Sequence, residues 1–516
     1  MYLTQPLHRA MQQHRDRIAV CFGDRQRTFQ QFGDRVARLA GGFKRLGLEA
    51  GDRVAILSLN SDRFLEYQIA VPWAGGVLNP CNIRWSAAEI LYALEDSGSA
   101  LLLVDEPFLP LLEQLRQGST TLRGFIYCGD GEPPAGMHGY EELIASSAPE
   151  PDAVRRGHDL AGIFYTGGTT GFPKGVMLSH QNLMSSALAV HAERTTTPGG
   201  TYLHAAPMFH LADLGMSLPH WIEGSTHAII RAYTPEAVLD AIERFRVTQV
   251  ALVPTMIQML LDHPSMKTAR DMKSLRMIGY GGSSIPEAVL DRAMATFPDI
   301  EFVQAFGMTE LAPLATINPA WYHTAEGRKA GKLRSVGRAG YICEVRVVDP
   351  SGREVPRGTV GEITVRGPQV MLGYWNRPVE TAAVLRDGWM HTGDGGHMDE
   401  DGFLYIADRI KDMIISGGEN IYSAEVENAL MQHPAVAACA VIGVPSSRWG
   451  EAVHAVVVRH AGRDVVADAL IAHCKTLIAK YKCPQSVDFV EALPLSGAGK
   501  ILKVKLREQY AARPPA

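Results

Sequence analysis

Residues 165–180 read YTGGTTGFPKGVMLSH. Small residues let a backbone curl tightly enough for several N–H groups to face one anion, and Gly167, Gly168, Gly171 and Gly175 provide that freedom. Thr166, Thr169, Thr170 and Ser179 add hydroxyl donors, and Lys174 adds a mobile positive charge. A triphosphate needs this chemistry. The stretch is not a Walker A loop, which requires G-x-x-x-x-G-K-[ST]. Pro173 separates Phe172 from Lys174, Gly175 follows the lysine, and Gly499-Lys500 is followed by Ile501. The alternative is a solvated Gly/Thr linker, but linkers rarely order proline, lysine and threonines in this way.

Other chemistry-bearing residues fall where strands are expected to end. AFGMTE (305–310) places Glu310 after a glycine turn, and Mg²⁺ takes one or two carboxylates together with phosphate oxygens. Glu310 alone reads as a solvated loop acid. Tyr280, Gly281, Gly282 and Ser283 end another run, and HTGD (391–394) offers Asp394 as an acceptor for paired hydroxyls. Gly417 and Gly418 permit a narrow channel or a flexible turn. Lys500 stands on a glycine-flanked loop, and His210 lies in APMFHLADLG; either alone is as consistent with a solvated or packed side chain as with a functional one.

These residues need a scaffold. A strand at 160–165, the loop and a helix over 182–193 give a strand–loop–helix context. Over residues 1–150, strands at 52–60 and 100–106 alternate with helices, one capped by Ser86; alternation argues a parallel sheet covered on both faces. Further strands are expected at 226–232, 248–255, 275–282 and 300–307, with a helix opening at Pro235. In open α/β sheets ligands gather at the carboxyl ends of strands. From about residue 330, short alternating runs at 341–349, 361–367 and 402–409 read as an antiparallel, barrel-like unit. After residue 412 the pattern is α+β, with a helix from Ser423. The expected fold class is therefore α/β: a large N-terminal domain of parallel-type sheets with a small barrel-like subdomain (1–408), a hinge (409–412), and a small α+β C-terminal domain (413–516).

The chain has 516 residues, a formal net charge of −5 and 46% hydrophobic residues, an ordinary globular composition. That length implies more than one folding unit. Mild acidity gives no reason to expect nucleic acid or an anionic membrane as partner. Seven cysteines without a C-x-x-C pair fit a reducing compartment. No apolar run is long enough for a signal peptide or a bilayer span, so the expectation is cytoplasmic.

The 165–180 stretch resembles the phosphate-binding signature of the adenylate-forming superfamily, which includes acyl-CoA synthetases, adenylation domains of peptide synthetases and luciferases. The resemblance extends over nearly the whole chain. It implies that residues 166–171 and Lys174 hold ATP phosphates, with Thr170 a weak Mg²⁺ contact. It implies that Thr309 touches the α-phosphate and Glu310 the magnesium. Gly281, Gly282, Ser283, Ala305, Phe306 and Gly307 would form the adenine pocket; Phe306 stands where the family usually has tyrosine, which loses a hydroxyl contact. Asp394 would hold the ribose, Arg409 would reach the ribose or a phosphate, and Lys411 would be the hinge between domains. Gly417 and Gly418 would line the coenzyme A channel. Lys500 would enter the site during adenylation, and Leu495-Ser496 replaces a common Arg-Thr there. His210 would lie near the acyl carboxylate.

The implied activity is an ATP- and Mg²⁺-dependent acid–CoA ligase, acting through an acyl-adenylate, as a monomer or homodimer. The alternatives are a stand-alone adenylation enzyme serving a carrier protein, a luciferase-like oxygenase, and a non-catalytic nucleotide-binding protein. Expected acyl-pocket residues are His210, Val253, Tyr280, Gly281, Ala305 and Met308. The bulk of Tyr280 suggests an aryl or short-to-medium-chain acid, so Tyr280→Ala should broaden use of longer acids.

Overall fold

The computed structural model describes residues 1–166, 173–268, 270–409, 412–416, 419–446, 448–497 and 499–511. Four sheets organise them. One sheet has eight strands. Its centre is parallel, running from Leu160–Thr166 through Val77–Pro80, Arg53–Leu57 and Ser99–Val104 to Gly124–Tyr127. Ser99–Val104 reads SALLLV and is buried at every position, as expected of a parallel strand covered on both faces.

A second sheet has nine strands. Ile18–Phe22, Thr226–Ile229, Thr201–His204, Gln249–Leu252, Met277–Gly281 and Glu301–Phe306 run parallel. A hairpin made with Arg25–Thr28 closes one edge, and the antiparallel strands Thr316–Asn318 and Arg338–Ala339 close the other. The third sheet is antiparallel and built from Glu344–Val348, Gly361–Arg366, Leu385–Arg386, Trp389–Met398 and Leu404–Arg409. The fourth pairs Ile414–Ser416, Glu419–Ile421, Val436–Ser446, Gly450–Arg459 and Ser486–Phe489. Helices Ser423–Met431, Ala467–Leu477 and Lys503–Ala511 accompany it.

Local chemistry sets the helix starts. Thr28 with Gln31, Ser86 with Glu89, and Ser179 with Asn182 form capping boxes at Phe29–Arg45, Ala87–Ser97 and His180–Ala192. Pro235 opens Pro235–Phe245 behind a Thr234 cap.

The phosphate loop's context differs from the sequence expectation. Lys174 opens a strand, Lys174–Ser179, that returns antiparallel along Leu160–Thr166, and Thr166 stands opposite Lys174. The two flanking strands thus pair as antiparallel neighbours, and the helix begins only at His180. A run such as KGVMLS is too short to carry a decisive period.

Candidate active site

Parallel strands bring their carboxyl ends to one edge: Gly281 ends Met277–Gly281, Phe306 ends Glu301–Phe306, and His210 follows Thr201–His204. His210 caps helix Leu211–Glu223; its Nδ1 accepts from Ala212 N–H at 3.2 Å. That helix is locked to the sheet by buried His204, whose Nδ1 lies 2.8 Å from Asp213 Oδ2 and whose Nε2 lies 3.0 Å from His227 Nδ1. Burial, reinforced by the positive charge of Lys500, pushes His210 down to about 4. It is therefore a neutral imidazole at physiological pH, and the bond from Ala212 leaves the ring proton on Nε2.

Lys500 comes from the far end of the chain. Leu495 and Ile501 pair across the segment that carries Lys500, and Gly499 takes φ +77°. Ser496 O accepts from Gly499 N–H at 3.0 Å, and Ser496 Oγ accepts from Lys500 N–H at 3.1 Å. The serine that replaces the usual threonine thus shapes the loop. Thr255 Oγ1 donates to Gly499 O at 3.0 Å and pins that segment to the large α/β portion. A Cβ on Gly282 would stand 3.2 Å from Lys500 Cε and 3.6 Å from its Nζ. Lys500, Gly282, Val253 and His210 therefore share one locale.

Glu310 is buried in the turn Thr309–Leu311, and Tyr374 Oη donates to its Oε1 at 2.8 Å. Half-buried Met308 packs against the large core, and half-buried Thr309 precedes the carboxylate. Gly307 admits no side chain, since a Cβ would meet Pro313 O at 1.7 Å. Gly281 is equally constrained, with Ala305 O only 2.2 Å from its would-be Cβ. Half-buried Phe306 ends its strand, while Gly282 and Ser283 are open to solvent.

Asp394 is buried inside strand Trp389–Met398, directly opposite Arg409, of which only the backbone is described. Glu362 braces the approach to Asp394, holding His391 Nδ1 at 2.8 Å and accepting from Gly393 N–H at 3.1 Å. Lys174 Nζ lies over the Tyr374 ring, 5.1 Å from its centroid. Gly167, Gly168, Thr169, Thr170 and Gly171 lie outside the described residues, as do Lys411, Gly417 and Gly418.

Tyr280 requires a correction. It stands between Gly279 and Gly281 in a strand whose side chains alternate in direction. Its ring packs with Leu252, Leu290 and Phe302 in the core on one side of the sheet. Its hydroxyl bonds His323 Nε2 at 2.8 Å. Gly279 and Gly281 face the other side, toward helix Leu211–Glu223. Tyr280 is a buried core residue on the face opposite Gly279 and Gly281.

The sequence reading named Gly281 and Ala305 but not their neighbours Gly279 and Ala251. A Cβ on Gly279 would meet only Met216 Cε at 3.9 Å, with Ala251 Cβ and Val250 O at 4.0 Å. Ala251 lies beside Gly279 and Ala305 beside Gly281 in register. These four small residues leave a bare strip of sheet running toward Gly282 and Lys500. The signal was present as small residues at period two, but strand neighbours cannot be paired without the fold.

Neutral His210 and the Lys500 cation share one locale, and buried Glu310 follows the end of strand Glu301–Phe306. Comparison with known proteins supplies the family. Residues 7–375 match the family described as AMP-binding enzyme, and residues 425–500 match the AMP-binding enzyme C-terminal domain. A feruloyl-CoA synthase from Amycolatopsis sp is 43% identical over 460 residues, 88% of each chain. An indoleacetate–CoA ligase from Aromatoleum aromaticum is 37% identical over 464 residues, again 88% of each. The crystal structure of ATP-bound MatB from Rhodopseudomonas palustris superposes with a TM-score of 0.88 at 30% identity, over 99% of both chains. The chain belongs to the AMP-binding enzyme family. It is an acid–CoA ligase, forming an acyl-adenylate and then a thioester.

Proposed function

We propose that this ligase activates an aromatic carboxylic acid, a hydroxycinnamate-like or arylacetate-like molecule, rather than a long-chain fatty acid. The observation that carries the reading is the bare strip formed by Ala251, Gly279, Gly281 and Ala305 beneath Met216. Its flat floor suits a planar ring. Along the strand it runs from Gly279 to Gly281, about 7 Å at roughly 3.3 Å per residue, and buried Met277 stands on the same face beyond it. A substituted ring fits that length and an extended alkyl chain does not. The feruloyl and indoleacetate ligases among the relatives support an aryl substrate.

In this reading the acid lies on the strip with its carboxylate at the mouth, where neutral His210 donates from Nε2. Phe306 stacks on adenine, and Asp394 accepts from the ribose hydroxyls. Thr309 and Lys174 contact phosphate oxygens. Lys500 stabilises charge that develops as the carboxylate attacks the α-phosphate and pyrophosphate leaves. Glu310, with Thr170 as a weaker contact, would offer the hard oxygen donors that suit Mg²⁺. When bound, the ion neutralises phosphate charge. Among the described residues no group of three His, Cys, Asp or Glu side chains forms an all-protein metal cage, which fits an ion held largely by the nucleotide. For the thioester step, residues 413–516 rotate about a hinge at 409–412 centred on Lys411, withdrawing Lys500 and presenting Gly417 and Gly418 to coenzyme A.

AMP formation from ATP, Mg²⁺ and coenzyme A across a panel of acids tests the proposal. Aryl acids should give the highest kcat/KM. A preference for long-chain acids would refute it, and adenylate formation that coenzyme A does not accelerate would point to a carrier-protein acceptor.

A further inference from the structure

Tyr374 touches two groups of the phosphate-handling site and belongs to neither the loop nor the turn that carries them. Its hydroxyl donates to Glu310 Oε1 at 2.8 Å, and its ring lies under Lys174 Nζ at 5.1 Å, within cation–π range. The residue is buried. Its segment is fastened on both sides. Met371 N–H donates to Glu310 O at 2.9 Å, Leu372 N–H to Met177 O at 2.9 Å, and Trp375 N–H to Gly175 O at 2.7 Å. Thr381 Oγ1 accepts from Tyr374 N–H at 2.9 Å. Gly373, at φ +142°, stands so close to Thr381 that a Cβ would meet its Cγ2 at 2.8 Å. Farther along, Trp375 Nε1 donates to Asp96 O at 2.8 Å, and Tyr165 Oη, one residue before Thr166, donates to Asp96 Oδ2 at 2.6 Å. The end of helix Ala87–Ser97 thus anchors both the base of the phosphate loop and the segment carrying Tyr374.

We propose that Tyr374 is a positioning residue for the nucleotide's metal: its hydroxyl fixes the orientation of the Glu310 carboxylate while its ring holds the Lys174 ammonium at the start of strand Lys174–Ser179. A carboxylate on a short turn rotates freely about its last bond. A hydrogen bond to one oxygen restricts that rotation and leaves the second oxygen outside the Tyr374 contact. A charged group held by a well-placed partner loses less entropy on binding its ligand. The proposal rests on the reading of Glu310 as the Mg²⁺ carboxylate.

The test is calorimetric titration of the full-length protein with ATP, in Mg²⁺ and in EDTA, for wild type, Tyr374→Phe, Tyr374→Leu, Glu310→Gln and the Glu310→Gln/Tyr374→Phe double variant. Tyr374→Phe keeps the ring and should weaken ATP binding roughly ten-fold in Mg²⁺, the scale of one hydrogen bond to a charged group, and leave it unchanged in EDTA. It should add nothing in the Glu310→Gln background. Tyr374→Leu removes the ring too, and should weaken binding in EDTA as well. Equal losses with and without Mg²⁺ for Tyr374→Phe, or losses additive with Glu310→Gln, would overturn the proposal. If Glu310→Gln itself binds ATP equally well in Mg²⁺, the metal reading of Glu310 fails first. If only Glu310→Gln is impaired, the role of Tyr374 fails alone.

Discussion

Gly279→Ala should make the enzyme more stable and less able to use its aryl substrate. The added methyl would stand 3.9 Å from Met216 Cε and 4.0 Å from Ala251 Cβ, ordinary contact distances. Gly279 lies within a strand and is absent from the positive-φ positions, so alanine meets no backbone penalty. Burying one methyl is worth about 0.8 kcal/mol, and removing glycine from the unfolded chain about 0.4–1 kcal/mol. Together they predict a gain of about 1–2 kcal/mol in urea unfolding. The same methyl occupies the floor of the strip. A pocket one methylene too small discriminates by about 1–3 kcal/mol, so kcat/KM for a hydroxycinnamate should fall roughly 10- to 200-fold. A two- or three-carbon acid that does not reach Gly279 should be used as before. ATP–pyrophosphate exchange with each acid, beside urea midpoints, measures both effects. An equal fall for both acids would show that the strip is not the acyl floor. A loss of stability would show that the space is not there.

Tyr280→Phe should cost about 1 kcal/mol through loss of the bond to His323 Nε2 and leave acid selectivity unchanged, as the buried position of Tyr280 requires; a shift in chain-length preference would contradict its placement. Lys500→Ala should abolish adenylate formation yet leave thioester formation from synthetic acyl-adenylate nearly intact, which separate half-reaction assays would show. Acidification should destabilise the fold between about pH 6.5 and 4. Burial pushes His180 and His323 down to about 4 and His220 to about 3. Because the unfolded chain binds these protons first, their stability is present above the ordinary histidine range and is lost as pH falls toward the folded values. Urea midpoints from pH 7.5 to 4.5 would show the decline, and His323→Gln should make it shallower.

The site candidates came from residue types over short distances: the Gly/Thr loop with Lys174, Glu310 after a glycine turn, Asp394 in HTGD and Lys500 between glycines and apolar residues. So did helix starts: Ser86 and Pro235 act through neighbours three or four residues away, and local rules suffice there. Strand existence was readable too, since runs such as SALLLV admit little else.

Tertiary structure decided direction and company. Strand Met277–Gly281 is apolar or small on both faces, so its alternation carries no mark of which face meets substrate and which meets core. Only the fold shows that Tyr280 turns to His323 while Gly279 and Gly281 turn to Met216. The antiparallel strands flanking the phosphate loop depended on pairing between Thr166 and Lys174. Tyr374 reaches Glu310 across 64 positions of sequence, and Gly499 meets Thr255 across 244. Such contacts come from how sheets and helices pack. The sequence determined which groups could do the chemistry, and long-range packing determined which of them stand together and which way each one faces.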